Sequence, residues 1–318
     1  MKRLRNNGKS ASVLCFSFIF VIFITFPLFV KNYYFLSVVM TIFLYIIFAT
    51  SWDVFSGYAE LVNFGHALFV GAAGYLTAYL DMTYGLSPFF ILVSCGLFCG
   101  VLGLFVGFTT LRHRGPYFAI LTMAFAHVAH ESSVIFSDYT GGEEGISGIS
   151  TLTNSWIGDY YFVLIVMTVI FILLLWFARG RYGLLLKAIS QNEDVVLASG
   201  VNVTLVKVFA YVISGAACGI GGSLFAFSLM HVGSTSLEQV LSSTILIMAI
   251  IGGMGTIIGP FIGATLLVTL NELLRGIGEY RLLIYTVLVV FIVFFTPKGI
   301  VSYFKPLGIK MGIIEKGN

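Results

Sequence analysis

Long apolar stretches recur along almost the whole chain, and they constrain its fold more than any other feature. A helix that crosses a membrane needs about 20 consecutive, mostly apolar residues. Only 10% of the residues are charged, too few to cover a water-soluble fold of this length. The sequence therefore predicts an all-α polytopic membrane protein that forms one transmembrane domain over residues 1–318, with about ten transmembrane helices. The predicted spans are 11–30, 34–55, 64–80, 88–110, 115–131, 160–178, 206–227, 238–252, 256–273 and 281–297.

The positions of lysine and arginine predict which side of the membrane each connection faces, because these residues concentrate in short cytoplasmic loops. With the N-terminus inside, only Lys31, Arg275 and Arg281 of the 17 basic residues fall outside. Both termini are therefore predicted to be cytoplasmic. The first stretch has no convincing small-residue cleavage site, so we expect a retained span and not a signal peptide. The predicted cytoplasmic segments are 1–10, 179–206 and 299–318, and the predicted extracytoplasmic loop is 132–159.

A glycine-rich sequence, Gly252-Gly-Met-Gly255, divides the apolar residues 238–273. If these residues formed a single crossing, the lysine-containing tail would lie outside, against the charge rule. We therefore predict a helical hairpin with a break at these glycines. Irregular backbone at membrane depth is tolerated only where protein or a water-filled cavity surrounds it.

Two of the predicted spans begin with polar, glycine-containing sequence. We call residues 56–66 the first polar lead and residues 233–242 the second polar lead. They lie at opposite predicted ends of the third and eighth spans, so a five-plus-five inverted repeat would relate them. Interrupted helices at matching repeat positions point to a transport path, and the alternative is two polar loops with coincidental spacing. The predicted path residues are Asn63, Phe64, Gly65, His66, Thr235, Ser236 and Ser242, together with Tyr117 and His127 of the fifth span.

Ionisable residues inside the predicted spans are few, and such residues usually face the interior of a bundle. His127 and Glu131 lie one helical turn apart, so a proton relay or a metal pair is an alternative interpretation there. An ion-coupled secondary transporter would need such groups, with Asp53, near the membrane midplane. The chain contains no HExxH, GxSxG or Walker A motif and no cysteine and histidine cluster. We therefore predict no catalytic residue, no metal site and no bound cofactor, which leaves an intramembrane enzyme without support.

The predicted cytoplasmic connection 179–206 contains an amphipathic segment. Apolar residues at 184–186, 188–189 and 195–197 alternate with a polar group that consists of Lys187, Gln191, Asn192, Glu193 and Asp194. Gly200 is a suitable position for the helix to stop. The pattern alone fits an ordinary connecting helix as well as it fits a docking element.

Four stretches, in their order and spacing, resemble the permeases of branched-chain amino acid ABC importers, specifically the M-type member of the permease pair. The stretches are 56–67, 114–126, 140–146 and 183–203, and residues 250–260 also fit. The resemblance covers roughly residues 40–300. It implies a transport subunit of a bacterial or archaeal cytoplasmic (inner) membrane, not an enzyme, that works by alternating access.

The resemblance also implies partners. These are a homologous second permease that forms a heterodimer with this chain, two cytoplasmic ATPase subunits that use ATP-Mg, and an extracytoplasmic substrate-binding protein. The scattered basic residues do not suggest nucleic acid. Glu193 and Asp194 would offer charge to a basic rim of the ATPase. The implied coupling residues are Lys187, Gln191, Asn192, Glu193, Asp194 and Gly200, and the residues expected to dock the binding protein are Thr140, Gly141, Gly142, Glu143 and Glu144.

The resemblance implies branched-chain or other hydrophobic amino acids as substrates. The first polar lead departs from the family pattern, because it has Glu60-Leu-Val-Asn63 where Gly-Gln-Leu-Ser is common. Related permeases handle urea, short amides and other small acids, and these substrates remain the alternative.

Overall fold

The computed structural model describes residues 21–30, 32–112, 116–296 and 299–301, and almost all of them are helical. In these ranges the only strands are β1 (Ile146–Ser147) and β2 (His231–Val232), which pair antiparallel. The helices are α1 (21–29), α2 (Tyr33–Trp52), α3 (His66–Tyr84), α4 (Pro88–Thr110), α5 (Pro116–Ile135), α6 (Ser137–Thr140), α7 (Trp156–Arg179), α8 (Arg181–Gln191), α9 (Glu193–Ala198), α10 (Val203–Leu229), α11 (Gln239–Gly252), α12 (Ile258–Leu273) and α13 (Arg281–Phe295). A π-helical turn, Asp53–Gly57, continues α2, and 3₁₀ turns occupy Ser234–Leu237 and Leu274–Tyr280.

Each of the ten predicted spans contains a helix. By length and composition, six helical segments can cross a membrane: Tyr33–Gly57, Pro88–Thr110, Pro116–Ile135, Trp156–Arg179, Val203–Leu229 and Ile258–Gly278. Two further apolar helices, Gln239–Gly252 and Leu283–Phe295, are shorter. The all-α polytopic architecture is therefore confirmed, while the number of crossings and the sidedness of the termini remain predictions.

Several predictions concern residues outside the described ranges. These are the cytoplasmic N-terminal segment 1–10, the first part of the first span, Arg114 of the second family-like stretch, and the predicted cytoplasmic tail from residue 302 onward. They remain predictions from sequence.

Contacts between residues that are far apart in sequence identify the two ends of the bundle. At one end, which we call the α8 end, the Lys187 ammonium lies 4.5 Å from the centre of the Tyr58 ring. At the other end, which we call the β-strand end because β1 and β2 pair there, the Asp81 carboxylate accepts hydrogen bonds from the backbone N–H and the hydroxyl of Ser150, each at 2.7 Å. The charge rule predicts that the α8 end is cytoplasmic.

Small residues allow α4 and α10 to lie very close together at the centre of the bundle. A Cβ atom on Gly103 would lie 3.3 Å from the Cα of Val212, and a Cβ on Gly219 would lie 2.8 Å from the carbonyl oxygen of Cys95. Lipid provides no hydrophobic force between helices, so such close van der Waals contact has to hold them together. The close contact between α4 and α10 therefore depends on glycine at these two positions.

The helices differ greatly in how much of their surface other helices cover. The second half of α2 is buried on all sides, from Phe43 to Trp52 with one partly exposed residue, as expected for a helix that is apolar all round. In α5, by contrast, only Phe118, Thr122, Ala126 and Ser133 are buried. These four residues form one narrow stripe, so most of α5 faces away from this chain.

Candidate transport path and coupling segment

The two polar leads meet inside the bundle. The Ser242 hydroxyl in the first turn of α11 accepts a hydrogen bond from the Ala67 backbone N–H in the first turn of α3, at 2.8 Å. Nearby, a Cβ on Gly71 would lie 2.3 Å from Cγ of Leu237, so the second lead lies directly against the backbone of α3. Both helices therefore begin at nearly the same point, and each presents the positive end of its dipole there.

This meeting point lies in the interior and not at an end of the bundle. The Trp52 indole donates to the Asn63 carbonyl at 2.8 Å, and the Cys218 thiol contacts the His66 carbonyl at 3.8 Å. Cys218 lies near the middle of α10, which runs from Val203 to Leu229. The first polar lead thus enters the bundle and ends at mid-depth, which is typical of a helix interrupted in a membrane.

Polar groups at the first lead are completely buried, and some have no partner. Ser51 has one hydroxyl proton, which it donates to the Phe48 carbonyl at 2.9 Å, so its oxygen accepts the Nε2 proton of His66 at 3.0 Å. The Nδ1 atom of His66 then has no hydrogen-bond partner among the described residues, and neither has the Ser56 hydroxyl. Unpaired buried polar atoms are costly. This region can therefore bind a polar group or water.

The predicted path residues are only partly brought together. Residues 63–66, Ser236 and Ser242 lie at the meeting point of the leads, while Thr235 is exposed. Tyr117 and His127 lie on the exposed surface of α5, away from this point. The Phe64 N–H donates to the Thr122 hydroxyl at 3.3 Å, which joins α5 to the first lead. Sequence reasoning missed Thr122, whose only local signal is a hydroxyl in an apolar run.

Three ionisable groups lie close together on α5, and two of them are on its exposed face. The side chains of His127 and Glu131 are 71% and 51% exposed, and Nδ1 of His130 lies 3.2 Å from the Glu131 carboxylate. The three possible ligand atoms lie within 4.8 Å of one another, so this group could hold a metal ion. Ionisable side chains are expensive against lipid. The face therefore suits contact with a protein partner or with a water-filled path.

The predicted amphipathic segment consists of two short helices, α8 and α9, and not one. The Asn192 side chain accepts a hydrogen bond from the Val195 N–H at 3.2 Å and caps α9, so Asn192 separates the two helices. Gly183, Leu186 and Ile189 face the bundle, while Lys187, Gln191, Asn192 and Asp194 are exposed. Gly200 has a φ of 84° and follows α9, as a helix stop requires.

The charge of Glu193 has a partner within this chain. Its carboxylate lies 2.8 Å from the Lys207 ammonium of α10. The Glu193 and Lys207 side chains are 29% and 8% exposed, respectively. Glu193 therefore anchors α9 to α10, and the docking of an ATPase on this segment remains a prediction.

The loop expected to meet a binding protein lies at the β-strand end. Thr140 ends α6, and its hydroxyl donates to the Ser133 carbonyl at 2.5 Å. Gly141 and Gly142 follow with φ values of 74° and 62°, a conformation that strongly favours glycine. Glu143 and Glu144 are exposed just after them. The loop presents two acidic side chains, and its contact with a binding protein remains a prediction.

The predicted break between α11 and α12 is present, and a distant carboxylate holds it. Asp53 accepts hydrogen bonds from the Gly255 N–H at 2.6 Å and from the Ile257 N–H at 3.0 Å. Gly252, Gly253 and Ile257 are buried, while Met254 is exposed. Protein therefore encloses most of the break, as the sequence predicts. The single acidic residue in the span 34–55 was a visible signal, but its partners were not.

Comparisons with known proteins agree on one family. The family model of the branched-chain amino acid transport system permease component matches residues 34–295. The chain is 28% identical over 299 residues to the high-affinity branched-chain amino acid transport system permease protein LivM of Salmonella typhimurium, with 85% of this chain and 70% of the relative covered. It is 27% identical over 292 residues to the LivM protein of Escherichia coli, with 83% and 69% covered. It is also 27% identical over 237 residues to the fructose import permease protein FrcC of Rhizobium meliloti, with 69% and 65% covered. No solved structure matches the chain significantly.

Proposed function

Because the chain belongs to the permease component family of branched-chain amino acid transport systems, we propose that it is a transmembrane subunit of an ABC importer that works by alternating access. The observation that carries this proposal is the contact between Ala67 and Ser242, at which two interrupted helices begin at one buried point. Transporters commonly place the substrate path at such interruptions. The full assembly would contain a homologous second permease, two ATPases that use ATP-Mg, and an extracytoplasmic binding protein.

The path would run between this chain and the second permease, along the exposed face of α5. Two features support this location. The His127 and Glu131 side chains on that face are poorly suited to lipid, and Thr122 on the opposite side of α5 contacts the first polar lead. A rocking movement of α5 would therefore reach both the path and the leads.

The energy would enter at the α8 end. The segment α8–α9 combines a buried apolar side with exposed polar residues, including Lys187 and Asp194. A partner ATPase could bind this surface and push on it when it closes on ATP. The exposed Glu143 and Glu144 at the β-strand end would meet the substrate-binding protein on the opposite side of the membrane.

The substrate class we propose is branched-chain or other hydrophobic amino acids. The printed names of the LivM relatives support it, and the match to the fructose permease FrcC shows that related chains carry sugars. Selectivity would reside mainly in the binding protein. The ligand profile of the partner binding protein would therefore be measured first.

The experiment that tests the function is reconstitution of the four components in proteoliposomes. We expect uptake of radiolabelled leucine that requires both internal ATP and loaded binding protein, and no uptake with this chain alone. Uptake by this chain alone, driven by a proton or sodium gradient, would instead identify a secondary transporter. Uptake of only the ligand found in the profile, and not leucine, would keep the importer and change its substrate.

A further inference from the structure

A buried carboxylate joins two parts of the chain that lie far apart in sequence. Asp53 belongs to the π-helical turn that ends α2 and is fully buried. Its two oxygens accept hydrogen bonds from the Gly255 and Ile257 N–H groups, one oxygen to each amide. These bonds are of the charge-assisted kind, which are among the strongest hydrogen bonds in proteins. One side chain therefore holds the break between α11 and α12 against the end of α2.

The backbone on both sides of this contact has an unusual conformation. Ile257 has a φ of 57° and a ψ of −41°, which is unfavourable for a β-branched residue. A Cβ on Gly57 would lie 1.9 Å from an Asp53 carboxylate oxygen and 2.7 Å from the Gly255 nitrogen, so only glycine fits there. The surroundings over-determine these conformations, which is common at parts of a protein that move in function.

The same turn also contacts the coupling segment. Tyr58 directly follows the π-helical turn, and the Lys187 ammonium of α8 lies 4.5 Å from the centre of its ring. A cation over an aromatic ring is an attractive contact. The exposed helix α8 therefore touches the structure that holds the break.

From the break, α11 leads back to the meeting point of the polar leads. This helix has 14 residues, so it spans roughly 21 Å at 1.5 Å per residue. Its other end carries Ser242, which binds the Ala67 N–H. Asp53 is thus connected to the second lead through α11, and to the first lead through the chain that follows Tyr58.

We propose that Asp53 is a positioning residue that transmits movement of α8 to both polar leads. The inference rests on the proposed function, because it assumes that an ATPase moves α8. Lys187 and Tyr58 carry the movement to the π-helical turn, and Asp53 carries it to Gly255 and Ile257. The break then moves together with α2 rather than sliding past it, and α11 shifts at its contact with α3.

The test replaces Asp53 in the complete importer and measures ATP hydrolysis and uptake in the same vesicles. In Asp53→Asn, an amide N–H₂ stands where one acceptor was, so Gly255 or Ile257 loses its partner. We expect the complex to assemble and to hydrolyse ATP, while the number of substrate molecules transported per ATP falls at least tenfold. A residue that only maintained the fold would lower both activities together.

Asp81→Asn is the matched control at the β-strand end. It makes the same chemical change in a carboxylate that also accepts two hydrogen bonds, in this case from Ser150. We expect transport per ATP to stay within twofold of the unchanged protein. Equal ratios in the Asp53 and Asp81 variants would overturn the inference and leave the importer function intact. Absence of ATP-driven uptake by the unchanged complex would overturn the proposed function itself, and the inference with it.

A second set of variants separates a relay from independent contributions. Lys187→Gln should also lower transport per ATP, and the double variant with Asp53→Asn should be no worse than the poorer single variant, because the two residues act in series. Losses that multiply would contradict a relay. If Asp53→Asn does not assemble, Lys187→Gln and Tyr58→Leu decide, since both leave the bonds to Gly255 and Ile257 in place. Unchanged transport per ATP in both variants would then refute the inference.

Discussion

The ion pair between Glu193 and Lys207 allows a quantitative prediction about the coupling segment. Removing one partner of a buried ion pair costs about 3–5 kcal/mol, while an exposed pair contributes about 0–1 kcal/mol. The Lys207 side chain is 8% exposed and the Glu193 side chain is 29% exposed, so this pair lies between these limits. We expect Glu193→Gln to cost about 2 kcal/mol, because it leaves a nearly buried ammonium without its partner.

The reciprocal change should cost less. Lys207→Met removes the more buried charge and leaves Glu193, which water reaches more easily. We expect a cost of about 0–1 kcal/mol, because the remaining carboxylate is partly solvated. The difference between the two variants is the sharpest consequence of the unequal burial.

Hydrogen exchange of the α9 amides in lipid nanodiscs measures this effect. A cost of about 2 kcal/mol corresponds to roughly 30-fold faster exchange through local opening. Lys207→Met is the matched comparison, because it removes the other partner of the same ion pair and leaves only the better solvated charge. At a cost of about 0–1 kcal/mol it should raise exchange by at most about fivefold. Unchanged exchange in Glu193→Gln would show that the ion pair does not anchor α9.

Three further predictions concern helix contact, sidedness and the leads. Gly219→Ala should lower the melting temperature of the complex, because overpacking costs about 1–3 kcal/mol, while Gly276→Ala, with open space around it, should not; equal melting temperatures would contradict the close contact of α4 and α10. A cysteine at Gln191 should react with a membrane-impermeant maleimide only from the cytosol, and one at Glu144 only from outside; the opposite result would invert the predicted topology. Ser242→Ala should leave a buried N–H of α3 unpaired, at a cost of about 1–3 kcal/mol, and should slow uptake; unchanged melting and uptake would argue against this contact as part of the path.

The sequence alone was sufficient to locate the helices. Each of the ten apolar stretches contains a helix in its described part, because a backbone in lipid has to satisfy its hydrogen bonds within the segment, which makes helix formation a local property. The start of α4 at Pro88 and the end of α11 at Gly252 are local properties too, because proline suits the first helical position and glycine the end of a helix. The division of the amphipathic segment at Asn192 was missed, because apolar residues recur on both sides of this capping residue and the pattern therefore resembles one continuous helix.

The sequence also indicated which segments carry function, but it did not show which of their residues touch. The leads could be recognised from their polar and glycine content. The contact of Asp53 with Gly255, that of Ala67 with Ser242, and the pairing of Glu193 with Lys207 could not be. Each depends on how separate helices pack, and the periodicity of one segment contains no information about the residue that faces it from another. Local chemistry therefore determined the helices, the predicted topology and the polar leads. Only the tertiary structure decided which buried polar groups bind one another, because those bonds form between helices that close packing brings together in the whole bundle.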